Sequence, residues 1–139
     1  MQSREFEATD ENMQAVNDFI HAQLPGDCPF GLLNKIDLAV EEIYINIAHY
    51  AYAPETGMVR IDCGLEPRGE CGPLLRVVFR DSGKPFDPLA REDPDITLSA
   101  DERGIGGLGI FLTKRFMDSV SYEYRDGENV LTIEKTVQE

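Results

Sequence analysis

Residues 32–53, LLNKIDLAVEEIYINIAHYAYA, leave the chain little choice but a long helix at its centre. Leu32, Ile36, Val40, Ile43, Ile47 and Ala51 recur at spacings of three and four, which is the apolar stripe of an amphipathic helix. Beside the stripe, at i, i+4 and i+7, stand Glu42, Asn46 and His49. A carboxylate, an amide and an imidazole are thereby expected on one edge of the helix. Leu38, Ile45 and Tyr52 fall on the far side, so the helix should be covered from two directions. A polar line along a buried helix marks either a site or a row of solvated or capped side chains, and the rest of the chain must decide between them.

Before this helix, residues 4–8 read as a short edge strand. Thr9 offers an N-cap, with Asp10 and Glu11 in the first turn where the helix dipole favours acids. Met13, Val16, Ile20 and Leu24 mark the buried face of a first helix, and Pro25-Gly26 ends it. The central helix should stop near Pro54. Residues 58–66 then alternate, with Val59, Ile61, Cys63 and Leu65 on one face and Arg60 and Asp62 on the other. After a polar turn over 67–73, residues 74–80 form a second strand with Leu75, Val77 and Phe79 inward. The two should pair as an antiparallel hairpin.

Residues 81–107 have no sustained periodicity and are rich in Pro, Gly and Asp. A loop this long in a compact domain is usually functional or mobile. A helix resumes over 108–117. Strands over 119–125 and 130–137 are joined through Asp126-Gly127, a hairpin signal. Helices that each bury one face against antiparallel hairpins give an α+β fold. The expected form is a two-layer sandwich with a mostly antiparallel sheet and helices on one face, in a single domain spanning 1–139.

Composition narrows the function. With 139 residues, 42% of them hydrophobic, the chain can bury one real core. Its net charge of −13 argues against nucleic acid or an anionic membrane surface and favours a basic protein partner. A phosphate ligand would need local help from a metal ion, backbone N–H groups or a few placed arginines. No apolar run is long enough to span a bilayer, and MQSREFEATD carries no apolar signal region, so the expected location is the cytoplasm. Cys28, Cys63 and Cys71 form no CxxC pair and read as reduced core or loop thiols. Only two histidines are present, too few to suggest a zinc site.

Three features bear chemistry, in order: Glu42 and Asn46 on the helix, Asp81-Ser82-Gly83 at a strand end, and Gly104-Ile105-Gly106-Gly107-Leu108-Gly109 opening a helix. Singly, the glycines can be turn chemistry and Asp81 a turn residue. Together they make a mechanical case. Glycines at a helix start let backbone N–H groups approach phosphates. The amide oxygen of Asn46 suits Mg²⁺, which takes few protein ligands beside phosphate oxygens and water. A carboxylate one turn earlier, Glu42, can accept a proton from an attacking hydroxyl. Asp81 can accept a hydrogen bond from an exocyclic amine, with Gly83 letting a flat base lie close.

These three segments resemble the three ATP-binding boxes of the GHKL (Bergerat) superfamily. AVEEIYINIAHYAY, RDSGKPFDP and GGLGIFLTKRFMDSV are similar over nearly their whole length to the boxes of the small anti-sigma-factor serine/threonine kinases. The resemblance runs over residues 9–137. It implies ATP and Mg²⁺ as cofactors, Glu42 as general base and Asn46 as Mg²⁺ ligand. It places Asp81 on the adenine amine and Gly83 beneath the base. Gly104, Gly106, Gly107, Leu108 and Gly109 would lie against the phosphates, with Arg103 a further phosphate contact or a solvated residue, and 86–103 would be the ATP lid. Pro85 stands where many members carry a second glycine, and 91–102 make the lid strongly acidic.

The implied activity is phosphorylation of an anti-sigma antagonist of the STAS type, with a sigma factor as alternating partner and a homodimer as the family's usual assembly. The competing reading is an ATP-gated interaction module without transfer, which the presence of Glu42 disfavours. A stand-alone ATP hydrolase would need coupled domains. A histidine kinase would need a helical phospho-acceptor hairpin.

Overall fold

A computed structural model describes residues 1–90 and 108–137. Five strands, β1 (Gln2–Glu7), β2 (Met58–Glu66), β3 (Leu74–Asp81), β4 (Ser119–Arg125) and β5 (Glu128–Thr136), form one sheet in the order β1-β2-β3-β5-β4. Every pairing is antiparallel. The helices are α1 (Met13–His21), α2 (Phe30–Asn46) and α3 (Leu108–Phe116). The expected α+β sandwich and its element order are thus observed.

The core lies between α2 and the inward face of the sheet. Ile36, Val40, Ile43 and Ile47 are buried with Val59, Ile61, Cys63, Leu75, Val77, Phe79, Leu131 and Ile133. Each such aliphatic side chain contributes roughly 1.5–3 kcal/mol on leaving water. Burial pushes the Cys63 thiol up to about 12, as befits an inert core cysteine. Alternation puts Arg60, Asp62, Arg76, Arg80 and Glu134 on the other face, where they pair as Arg60–Asp62, Arg80–Asp62 and Arg76–Glu134. The prediction that α2 is covered from two directions fails at Leu38, which is 46% exposed.

Two helix boundaries also differ from expectation. Thr9 has extended backbone but makes no side-chain cap; a 3₁₀ turn, Asp10–Asn12, intervenes before α1. The Tyr44 hydroxyl takes the capping role, accepting from Thr9 N at 3.0 Å and donating to Thr9 O at 2.6 Å. This buried tyrosine ties α2 to the end of β1. The central helix, expected over 32–53, begins at Phe30 and leaves α-helical bonding after Asn46, continuing as a π-helical turn over Ile47–Ala51. Turns of that kind are often found at functional sites.

Candidate functional site

The site begins where β3 ends. Its alternation carries Leu75, Val77 and Phe79 inward, so the next inward position, Asp81, is a carboxylate at the rim of the core. The register sets Asp81 opposite Val59 on one side and Asn129 on the other. Above these residues, between α2, α3 and the sheet, is a cavity of about 220 Å³. Ile43, Ile47, Phe79, Leu131 and Ile110 make its walls apolar, while Asn46, Asp81 and Asn129 supply polar groups. Apolar walls with a few placed polar groups are the usual composition of a small-ligand site.

Asp81 Oδ1 accepts from Gly83 N and from Asn129 Nδ2, both at 2.9 Å. Among the described residues no donor reaches Oδ2. Burial pushes the Asp81 carboxyl above the usual range, the bonds from Asn129 and Gly83 pull it back, and the charge of Glu128 adds to the rise. The cavity therefore presents Asp81 Oδ2 as an unpaired acceptor in apolar surroundings, matched by a donor such as an amine of a flat heterocycle.

The π-helical turn docks the loop that follows β3. Ala51 O accepts from Lys84 N at 2.9 Å, and Lys84 Nζ donates to Ala53 O at 3.0 Å. The Tyr52 hydroxyl accepts from Ser82 N at 2.8 Å and donates to Met58 O at 2.6 Å. A Cβ at Gly83 would collide with the Ala51 carbonyl. Gly83 is thus required for helix and loop to meet; its bare face is turned to Ala51, and it does not line the cavity.

On the edge of α2, Asn46 Nδ2 donates to Glu42 Oε1 at 3.3 Å. Asn46 lines the cavity while Glu42 stands just outside it. With its nitrogen on Glu42, the Asn46 carbonyl oxygen is free of protein partners among the described residues. One amide oxygen beside one carboxylate fits Mg²⁺ carried in by phosphates, which needs few protein ligands. Gly109, in the first turn of α3, packs directly on Glu42: a Cβ there would overlap the carboxyl group. His49 leaves the predicted polar line. Its Nε2 lies 2.7 Å from Asp10 Oδ1, because the wider turn after Asn46 changes the angular step along the helix. Glu41 is exposed and accepts from Asn17 at 3.3 Å.

Of the remaining expected contacts, Leu108 opens α3, while Arg103, Gly104, Gly106 and Gly107 lie outside the described residues. So does the expected lid segment beyond residue 90. Its first residues are anchored: Phe86 N donates to Asn129 Oδ1 at 3.1 Å and Pro88 is buried. The structure thus brings Asp81, Asn46, Glu42 and Gly109 to one region between α2, α3 and β3.

Sequence reasoning missed Asn129 and Tyr122, which shape the cavity wall. A signal was present, since Asn129, Leu131 and Ile133 are alternate positions of one strand and only the first is polar. The β3–β5 register that makes it matter is not written in either strand.

Residues 6–135 match the family described as the histidine kinase-like ATPase domain. The chain is 40% identical over 98 residues to a serine/threonine-protein kinase, BtrW, of Bordetella bronchiseptica, a match covering 70% of this chain and 66% of that protein. In fold it is similar to the histidine kinase domain of the blue-light activated histidine kinase of Erythrobacter litoralis, with TM-score 0.54 and 15% identity over 91% of this chain and 64% of that one. A second structure of that kinase gives TM-score 0.55 and 16% identity over 91% of this chain and 41% of the longer one. The chain thus spans less than two thirds of each of these proteins.

Proposed function

This chain belongs to the histidine kinase-like ATPase domain family, and we propose that it binds ATP and transfers the γ-phosphoryl group to a serine or threonine hydroxyl of a protein partner. The observation that carries the reading is the unpaired Asp81 Oδ2 in an apolar cavity whose far wall is Asn46, itself bonded to Glu42. An adenine amine donates to Asp81 Oδ2, and the base is sandwiched by aliphatic and aromatic walls. The triphosphate then runs along α2 past Asn46 toward the first turn of α3, whose N–H groups and dipole favour anions. Bound Mg²⁺, held through Asn46 Oδ1, would offset phosphate charge. The partner's hydroxyl oxygen attacks the γ-phosphorus, the bond from that phosphorus to the β–γ bridging oxygen breaks, and ADP leaves. Glu42 accepts the hydroxyl proton.

The similarity to a protein named as a serine/threonine kinase supports the choice of acceptor. The resemblance of the three boxes supports an anti-sigma antagonist of the STAS type as substrate, a sigma factor as alternating partner, and regulation of transcription by partner switching. The charge of −13 suits a partner with a basic face. Among the described residues no helix is long and apolar enough to cross a membrane.

Incubation with γ-labelled ATP, Mg²⁺ and antagonist proteins encoded in the same genome tests this. Label on a serine or threonine of one of them is the expected result. ATP binding without transfer to any of them would leave an ATP-gated interaction module instead.

A further inference from the structure

Asn129 is 6% exposed and every hydrogen-bonding group of its amide is used. Nδ2 donates to Asp81 Oδ1 and to Lys84 O, both at 2.9 Å. Oδ1 accepts from Phe86 N at 3.1 Å and from the Tyr122 hydroxyl. Three of these partners work in one direction only: a backbone N–H can only donate, while a carbonyl and a carboxylate can only accept. The amide therefore has one orientation, and the Tyr122 hydroxyl must be a donor to it. The sheet fixes the distances. Asn129 faces Asp81 across the β3–β5 ladder, and Tyr122 on β4 is its diagonal neighbour, paired with Leu131.

We propose that Asn129, oriented by Tyr122, is the positioning residue that sets which purine this cavity accepts. It occupies one oxygen of Asp81 and pins residues 84–86, so that the base is read by a single acceptor, Asp81 Oδ2. Asn129 itself has nothing left to offer a ligand. A 6-amino purine places a donor against that oxygen. A 6-oxo purine places an acceptor there, leaving two oxygens facing each other with no proton between them. Without Asn129, the carboxylate keeps only the Gly83 N–H and turns more freely, and the loop along the cavity loses its two bonds to the sheet, at Lys84 O and Phe86 N. The inference rests on the reading of this cavity as the base-binding part of an ATP site.

The test compares ATP with inosine triphosphate, whose base has an oxo group in place of the 6-amino group and a proton on N1, by calorimetric titration of the wild type, Asn129→Leu and Tyr122→Phe. Thermal melting checks that each variant is folded. The wild type should prefer ATP by about 10- to 100-fold, the range expected for a hydrogen bond to a charged group. Asn129→Leu should bring that ratio close to one, chiefly by weakening ATP, and Tyr122→Phe should lower it by roughly a few-fold through the loss of one donor. A purely structural role would weaken both nucleotides alike and leave the ratio unchanged, and that result overturns the inference. If Asn129→Leu does not fold, an unchanged ratio in Tyr122→Phe overturns it alone. A wild type that binds neither nucleotide overturns the ATP-site reading itself. A wild type that binds ATP selectively, with folded variants equally selective, overturns only the role of Asn129.

Discussion

At one end of the site Asp81 is buried at the end of β3 and held by two bonds of 2.9 Å, from Gly83 and Asn129. At the other end Glu42 is half-buried on the edge of α2, receives one bond of 3.3 Å from Asn46, and rests on the backbone of Gly109. The first carboxylate is part of the sheet and its position follows from strand register. The second depends on how two helices meet. A group that recognises a rigid base gains from being fixed beforehand. A group that must meet an incoming hydroxyl needs access, and its environment is left more open. The difference teaches that binding and transfer should be separable by mutation.

The largest expected effect is at the helix end. Glu42→Gln keeps size and hydrogen bonding but removes the base, so transfer should fall about 10²–10⁴-fold. Calorimetry should show ATP affinity near that of the wild type, because the proton is accepted only as the hydroxyl attacks. Gly109→Ala should come next. Its methyl group would displace the Glu42 carboxyl, and a shift of about 1 Å at a catalytic group can cost roughly 10²-fold. Single-turnover transfer is the measurement. The same substitution placed on Glu42→Ala, which removes the colliding group, should leave ATP affinity unchanged from that of Glu42→Ala alone. A loss of affinity there would assign Gly109 to the phosphates only.

At the sheet end, Asp81→Asn should weaken ATP by about 10- to 100-fold, since a charged acceptor is replaced by an amide. Titration over pH sharpens this. The Asp81 carboxyl lies above the usual range, chiefly through burial, so wild-type ATP affinity should decline on acidification before an ordinary carboxylate would protonate.

The smallest effect is on the free protein. A raised folded-state value means that ionised Asp81 opposes folding: its contribution to stability is present at low pH and lost as pH rises through that value. Asp81→Asn should therefore raise the melting temperature slightly at neutral pH, with the gain vanishing in acid. Asp62 has the opposite sign. Burial alone would raise it, but the Ser3 hydroxyl, Arg80 and Arg60 outweigh burial and hold it below the usual range. Its contribution is present above the unfolded value and lost as pH falls through the folded one. Melting curves of both asparagine variants across pH check the two signs.

What could be read from the chain alone follows the same division. The stripe from Ile36 to Ile47 and the alternation in β2 and β3 depend on local periodicity, and they located α2 and the sheet. Glu42 and Asn46 are one turn apart, so a helix suffices to join them. His49 was misplaced because nothing local announces a π-helical turn. For Gly83 the sequence suggested room for a base, and the structure adds a reason that no local signal carries, a close approach to Ala51 that leaves no space for a Cβ. Asn129 was missed because its meaning comes from Asp81, far off in the chain and brought opposite only by strand pairing.

The most direct test of the division is transfer of labelled γ-phosphate at saturating ATP, with Glu42→Gln and Asp81→Asn measured side by side against the wild type. High nucleotide overcomes a defect of binding and leaves a defect of chemistry untouched. Asp81→Asn should recover transfer to within several-fold of the wild type, on the order expected for an intact chemical step. Glu42→Gln should remain at least about 10²-fold slower at every concentration. Equal impairment of the two variants at saturation, or near-normal transfer by Glu42→Gln, would contradict the assignment of binding to the sheet end and chemistry to the helix end.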